Sequence, residues 1–427
     1  MRALVIAALA LAAAPVVAQT VAITGGKVVI GDGSPPIEGG TVVIANGRVV
    51  AAGRGVAVPA NAERIDASGK WVTPGVVAGF TRLGLAAVDA VGDANDTAAS
   101  SSPFNAALDI APAVNPDVAA IAVTRAAGVT RAIVSPDAGN AIFGGMGAAI
   151  DMGADPAPVQ APRLFQFVEF GESGARRAGG SRPALFAWFR TALGEARDAA
   201  AGVYRDNSLL RRADAQALIP VVNGQMRLAV HVESAPDIRA VLGLKREFPS
   251  LKLVLIGATE GWRVGGEIAR TGVPVIASAL NDLPSSFEQI ASTQSNIGRM
   301  HAAGVQVSIG MIDDDDTRQA QYSTQYAGNL VALTKLPGAA GLTWDQAFAA
   351  ISSGPAEAMG LGGEIGSLRS GRRGDVVIWS GDPLELSTAA EAVYIDGVKQ
   401  PLVTRQTRLR DRYLRPQEGD LPKAYDR

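Results

Sequence analysis

A proline–glycine step at Pro74-Gly75 divides this chain into two textures, and that division limits the folds open to it. Before it, from Val21 to Ile65, β-branched runs alternate with glycine: Val21-Ala22-Ile23, Lys27-Val28-Val29-Ile30, Gly40-Thr41-Val42-Val43-Ile44 and Arg48-Val49-Val50-Ala51. These read as short strands, with Asn46-Gly47 as a hairpin turn. No helix start follows the glycines, so they do not form a phosphate cradle. After the step comes Val76-Val77-Ala78-Gly79-Phe80, an apolar run of the length of a buried strand.

The body beyond it alternates strand and helix. Arg227-Leu228-Ala229-Val230-His231, Lys252-Leu253-Val254-Leu255-Ile256, Val273-Pro274-Val275-Ile276-Ala277 and Val305-Gln306-Val307-Ser308-Ile309 are expected strands. Helices over Ala235–Arg246, over Gly261–Arg270 and one ending near His301 separate them. That rhythm means parallel pairing with right-handed crossovers. The first half is less regular: a helix over Asn115–Ala127, a strand at Arg131–Val134 and a long helix over Ser181–Val203 are expected. Residues 85–112 read as a surface loop at the mouth, and Gly144-Gly145-Met146-Gly147 as a turn between strands.

Near the C-terminus the glycine-rich β texture returns, at Gly366-Ser367-Leu368, Gly371–Trp379, Gly381-Asp382-Pro383 and Ala392–Val398. The expected fold class is therefore α/β: a (β/α)8 TIM-like barrel inserted in a small β-sandwich lobe formed by both chain ends. The boundaries are 19–74 and 354–405 for the lobe and 75–353 for the barrel, with a charged tail over 406–427. A chain of 427 residues holds a barrel plus such a lobe comfortably.

Residues 1–18 read as a signal peptide. Arg2 is its positive end, Ala3–Ala14 its apolar core, and Val16-Val17-Ala18 supplies small residues before a cleavage site after Ala18. The apolar run is too short to span a membrane. A periplasmic or secreted protein without a membrane anchor is expected. The chain has no cysteine, which excludes disulfides and thiol catalysis. With Lys+Arg 39 against Asp+Glu 41, there is no basic excess to attract nucleic acid. A small-molecule ligand or substrate is the expected partner, and the sequence is compatible with a homo-oligomer.

Three segments, Val72–Gly84, Asp237–Val275 and Gly354–Pro383, resemble the amidohydrolase superfamily, its imidazolonepropionase-like branch in particular. The resemblance implies a metal-dependent hydrolase of C–N bonds in cyclic amides or small peptide-like substrates. Its usual metal ligands would be a His-x-His pair on the first strand, a carboxylated Lys on the fourth, a His on each of the fifth and sixth, and an Asp on the eighth. Laid onto this chain, the His-x-His pair falls on Phe80 and Arg82. No lysine occurs between Lys70 and Lys245, so the fourth-strand ligand is missing. His231 matches the fifth-strand histidine. Gly257, in Ile256-Gly257-Ala258-Thr259-Glu260, stands where the sixth-strand histidine would be. The eighth-strand Asp aligns with Ile312, one residue before Asp313.

The usual two-metal centre cannot be assembled from such a set, because a tight site needs at least three converging N or O ligands. A single divalent metal is the most it could hold. In one reading His231 and Asp313, with Glu169 or Glu172, hold that metal or act as acid and base. In the other, His231 keeps a buried hydrogen bond and Asp313-Asp314-Asp315-Asp316 is a solvated loop. The second histidine, His301, reads as a helix C-terminal residue favoured by the dipole. Arg82 puts a fixed cation where a metal ligand would stand. It could pair with Glu233, with Asp313 or with a ligand carboxylate, or serve as a structural ion pair. Phe80, Arg82, Glu233 and Gly257 are thus the expected pocket residues. The function implied is an amidohydrolase-family hydrolase with a degenerate metal site. The alternative is a catalytically inactive barrel that binds a small ligand or a partner protein.

Overall fold

The computed structural model describes residues 20–88, 91–279, 281–312 and 319–414. The expected signal peptide, the acidic run Asp313–Asp316 and the far end of the tail lie outside them.

Two eight-stranded sheets organise the chain. The barrel sheet takes its strands in sequence order: Val76–Thr81, Val129–Val134, Phe143–Asp151, Val159–Glu169, Arg227–Val232, Lys252–Gly257, Val275–Ala277 and Val307–Ile309. From the fourth strand to the eighth, every pair is parallel. The ring nearly closes, since Met311 N, just past the eighth strand, donates to Phe80 O of the first at 3.0 Å. Gly79 makes that approach feasible. A Cβ on it would lie 2.5 Å from Ile309 O.

Contrary to expectation, the ring is not built of eight parallel strands. The third runs antiparallel to the second and to the fourth. The connections Ser135–Ile142 and Met152–Pro158 explain this. A parallel crossover needs about a dozen residues or more, and these segments are shorter. Nor is Gly144-Gly145-Met146-Gly147 the expected turn, since it forms the start of the third strand. Its glycines admit close neighbours: a Cβ on Gly147 would lie 2.1 Å from the Phe165 ring, and one on Gly145 2.7 Å from Leu108 O. Residues 85–88 and 91–112 form a loop with short helical turns at Gly92–Ala94 and from Ala111, held down at several points. Leu85, Ala106 and Ile110 are buried, and Met146 N donates to Leu108 O at 2.7 Å.

Both ends of the chain build the other sheet. Its order is Val398–Lys399, Ala390–Ile395, Val376–Trp379, Trp71–Pro74, Val21–Val28, Ile37–Ala45 and Arg48–Gly53, with Glu63–Asp66 paired to Val21–Val28. The runs at Val21 and Lys27 are one strand, broken in register around Gly26. Val21, Ile23, Val42, Ile44, Val72 and Val376 form its separate apolar core. The hairpin turn sits at Asn46 (φ 54°) and Gly47 (φ 73°), the left-handed pair that a two-residue turn requires.

Helix ends follow local chemistry. Ser181 Oγ accepts Ala184 N ahead of Arg182–Ala200, and Ser234 Oγ accepts Asp237 N ahead of Ala235–Gly243. Arg131 fastens barrel to lobe. Its Nε and Nη2 donate to the two Asp375 oxygens at 2.7 and 2.8 Å, and Nη2 lies 2.9 Å from Asp396.

Candidate functional site

The C-terminal ends of the barrel strands surround a cavity of about 300 Å³, a polar hollow with an apolar patch. Phe80 and Phe167, their rings 5.8 Å apart, and Ile312 supply the apolar patch. Above it lies a row of three side chains from neighbouring positions. Parallel pairing sets His231 of the fifth strand beside Glu169, the last residue of the fourth. His231 Nδ1 is 3.0 and 3.1 Å from the two Glu169 oxygens, and Nε2 is 2.9 Å from Glu233 Oε1. Glu233 Oε2 accepts the backbone N–H of Thr259 at 2.8 Å.

The electrostatics of this row fix its protonation. Burial alone would lower the His231 pKa, but the two carboxylates outweigh it and raise the pKa well above the ordinary value. Burial would push the Glu233 carboxyl up, yet its bond to His231 and the Thr259 contacts hold it below its usual range. Both effects favour the protonated ring, whose two nitrogens are placed to donate to the carboxylates. A ring protonated in this way offers no lone pair to a metal.

Gly257 completes this arrangement. Its φ is +88°, and a Cβ there would lie 2.4 Å from Glu233 Oε1. The Glu233 carboxylate therefore fills the space beside the sixth strand that a side chain at position 257 would need. Arg82 does not pair with Glu233, contrary to one of its expected partners. Its Nη2 lies 3.4 Å from Asp137 Oδ1, because Glu233 is already committed to His231 and Thr259. His301 lies on the helix Asn296–Ala302 and is not among the cavity residues. Asp313 is outside the described residues. Glu172 enters the site through its backbone rather than its carboxylate.

Two residues of the mouth carry no sequence signal that singles them out. Glu288 sits in the short turn Phe287–Gln289, where Oε2 accepts Glu172 N at 2.7 Å and lies 3.6 Å from Arg182 Nη2. Burial, aided by the nearby Glu233 charge, pushes its carboxyl up to about 7. Gly171 (φ +67°) leaves room for it, since a Cβ there would lie 2.2 Å from Glu288 Oε2. Arg177 ends the helix Gly171–Arg177 and lays its guanidinium across Gly139 O (2.8 Å), Ala138 O (3.0 Å), Ser173 O (3.1 Å) and Ser173 Oγ.

These residues do not fit the two-metal centre of a metal-dependent amidohydrolase. Phe80 offers no donor atom, Arg82 is itself a cation, Gly257 has no side chain, and His231 gives both nitrogens to carboxylates. Among the described residues no group of three or more His, Cys, Asp or Glu side chains is arranged to hold a metal ion.

Known proteins share this architecture. The profile of the amidohydrolase family matches residues 286–399. Amidohydrolase tasK of Hapsidospora irregularis is 24% identical over 389 residues, covering 80% of this chain and 38% of that protein. The chain thus spans well under half the length of this curated relative. An amidohydrolase from Thermotoga maritima MSB8 superposes with a TM-score of 0.79 at 22% identity, over 90% of this chain and 100% of that one. A molinate hydrolase superposes with a TM-score of 0.56 at 16% identity, over 95% and 98% of the two chains. No helix of the described residues is long and apolar enough to cross a membrane. Residues 286–399 thus carry the likeness to the amidohydrolase family, and the barrel and the sheet shared by both chain ends have the fold of these solved amidohydrolases.

Proposed function

We propose that this chain uses the barrel mouth to bind a small polar molecule and does not run the metal-hydroxide reaction of its superfamily. The observation that carries this reading is His231 with both ring nitrogens 2.9 to 3.1 Å from carboxylates. A metal there would have to displace a proton and break at least one of these charge-assisted bonds. Elemental analysis of purified protein tests the reading. Well under one equivalent of Zn, Mn or Fe per chain, with a melting temperature unmoved by EDTA, is expected. One equivalent of metal that disappears in His231→Ala would overturn it.

A second reading keeps hydrolysis of C–N bonds in cyclic amides or small peptide-like substrates but assigns it to acid–base groups alone. Glu288 favours it. A carboxyl held near 7 can exchange a proton at physiological pH, and it shares the cavity with His231. Hydrolysis of such amides that persists in EDTA and is lost in Glu288→Gln would favour this reading over the first.

We also propose export, on the strength of Arg2, the apolar run Ala3–Ala14 and the small residues before Ala18. N-terminal sequencing of the secreted fraction should begin at Gln19. Recovery of the intact Met1 chain from the cytoplasm alone would count against it.

A further inference from the structure

The mouth carries both cations and carboxylates. Arg82 follows the first barrel strand, and Asp137, its partner at 3.4 Å, follows the second. Arg177 ends the helix after the fourth strand, and its guanidinium reaches from there to the carbonyls of Ala138 and Gly139, beyond the second strand. Glu169 and His231 stand at the ends of the fourth and fifth strands, and Glu288 packs against Glu172 at the start of the helix that ends in Arg177. In a ring of eight strands taken in order, the fifth stands opposite the first, while the second and fourth are separated by one strand.

Within this ring, two groups keep capacity that internal bonding does not use. Arg177 spends its bonds on backbone carbonyls and a serine, and no carboxylate lies within ion-pair distance of it among the described residues. Its positive charge is thus held in place without being neutralised. Glu288 commits Oε2 to Glu172 N and to the more distant Arg182, while Oε1 makes no hydrogen bond among the described residues. Both share the cavity with the apolar patch of Phe80, Phe167 and Ile312. At about 300 Å³ the cavity is at the lower end of the range for small-molecule sites, which favours a small ligand.

We infer that the mouth takes a zwitterion of amino-acid size with an apolar side chain, its carboxylate on the Arg177 side, its ammonium on Glu288 and its side chain over Phe80 and Phe167. This rests on the reading of the mouth as a ligand site. A planar carboxylate suits a guanidinium already locked by its other bonds, since little further ordering is needed on binding. An ammonium next to Glu288 would offset the burial that keeps that carboxyl protonated.

Titration calorimetry of the full chain with four probes tests this: L-leucine, L-leucine methyl ester, N-acetyl-L-leucine and N-acetyl-L-leucine amide. Leucine should bind, and loss of either charge should weaken binding at least about tenfold. Arg177→Lys should weaken leucine and the N-acetyl acid but spare the methyl ester. Glu288→Gln should weaken leucine and the methyl ester but spare the N-acetyl acid. If a singly charged or neutral probe binds the unmutated chain as tightly as leucine, the zwitterion is wrong while the mouth remains a ligand site. If none of the four gives heat at millimolar concentration, both readings fall. The ranking of the four probes needs only unmutated protein, so it still decides between these outcomes if a variant fails to fold.

Discussion

Two ionic clusters anchor this molecule, one at the seam between barrel and lobe and one at the barrel mouth. At the seam Arg131, 2% exposed, meets Asp375 through two bonds and Asp396 through a third, with Asp151 at 3.7 Å. At the mouth His231, 24% exposed, lies between Glu169 and Glu233. Both place one cation among carboxylates. They differ in the nature of that cation. A guanidinium cannot titrate and matches a carboxylate bidentately, so the seam is a permanent fastening. An imidazolium can lose its proton, and its surroundings open onto a cavity, so the mouth can answer to pH and to a ligand.

The contrast can be broken at the seam first. Arg131→Met should leave Asp375 and Asp151 buried without their cation and destabilise the fold by about 3–5 kcal/mol, read by urea denaturation. A loss below about 1 kcal/mol would make the seam no more than a surface pair. His231→Ala should cost about 2–4 kcal/mol at pH 6, because Glu169 and Glu233 then face each other without a cation. The pH dependence sharpens this. The folded pKa of His231 is raised, so its contribution is fully present below the unfolded value of about 6.5 and is lost as pH rises through the folded value. Glu233 is lowered, so its contribution is present above its unfolded value and is lost as pH falls through the folded one. The difference between wild type and His231→Ala should therefore be largest between those limits and shrink in alkali. A difference that stays flat into strong alkali would show that the ring acts through packing and not through charge.

Gly257→Ala should cost about 1–3 kcal/mol, combining a strained φ with a Cβ against Glu233. It should cost far less in a Glu233→Ala background, where the obstructing carboxylate is gone, and equal costs in both backgrounds would separate Gly257 from the His231 cluster. The smallest effect is a gain. A carboxyl whose folded pKa is raised to about 7 destabilises the fold increasingly as pH climbs from about 4.5 to 7. Glu288→Gln should thus be more stable than wild type above pH 7, by up to about 2 kcal/mol, with the margin vanishing near pH 4. A variant less stable at every pH would mean that the hydrogen bond to Glu172 outweighs the burial of the carboxyl.

Much of the architecture was legible because its signals are local. The strands after Arg227 carry continuous apolar runs, and Asn46-Gly47 marks its own turn. The glycine run at Gly144–Gly147 misled because a glycine reports what the backbone can do, not what approaches it. The rings of Phe165 and Phe167 and the carbonyl of Leu108 made this run a strand. Gly257, expected in the pocket, is not among the cavity residues, although its position at the end of the sixth strand, like that of His231 near the end of its own strand, was legible. Glu288 and Arg177 were not, since each comes from a connecting segment whose position depends on folding around it.

The sequence by itself determined which side chains are missing. The resemblance sets Phe80, Arg82 and Gly257 where metal ligands would be expected, and no lysine lies between Lys70 and Lys245. Only the tertiary structure decided what took their place. Glu169 and Glu233 reach the two nitrogens of one ring because adjacent parallel strands and the turn after the fifth bring them there. A list of residues cannot specify that, because a hydrogen bond depends on distances of a few tenths of an ångström set by the whole barrel.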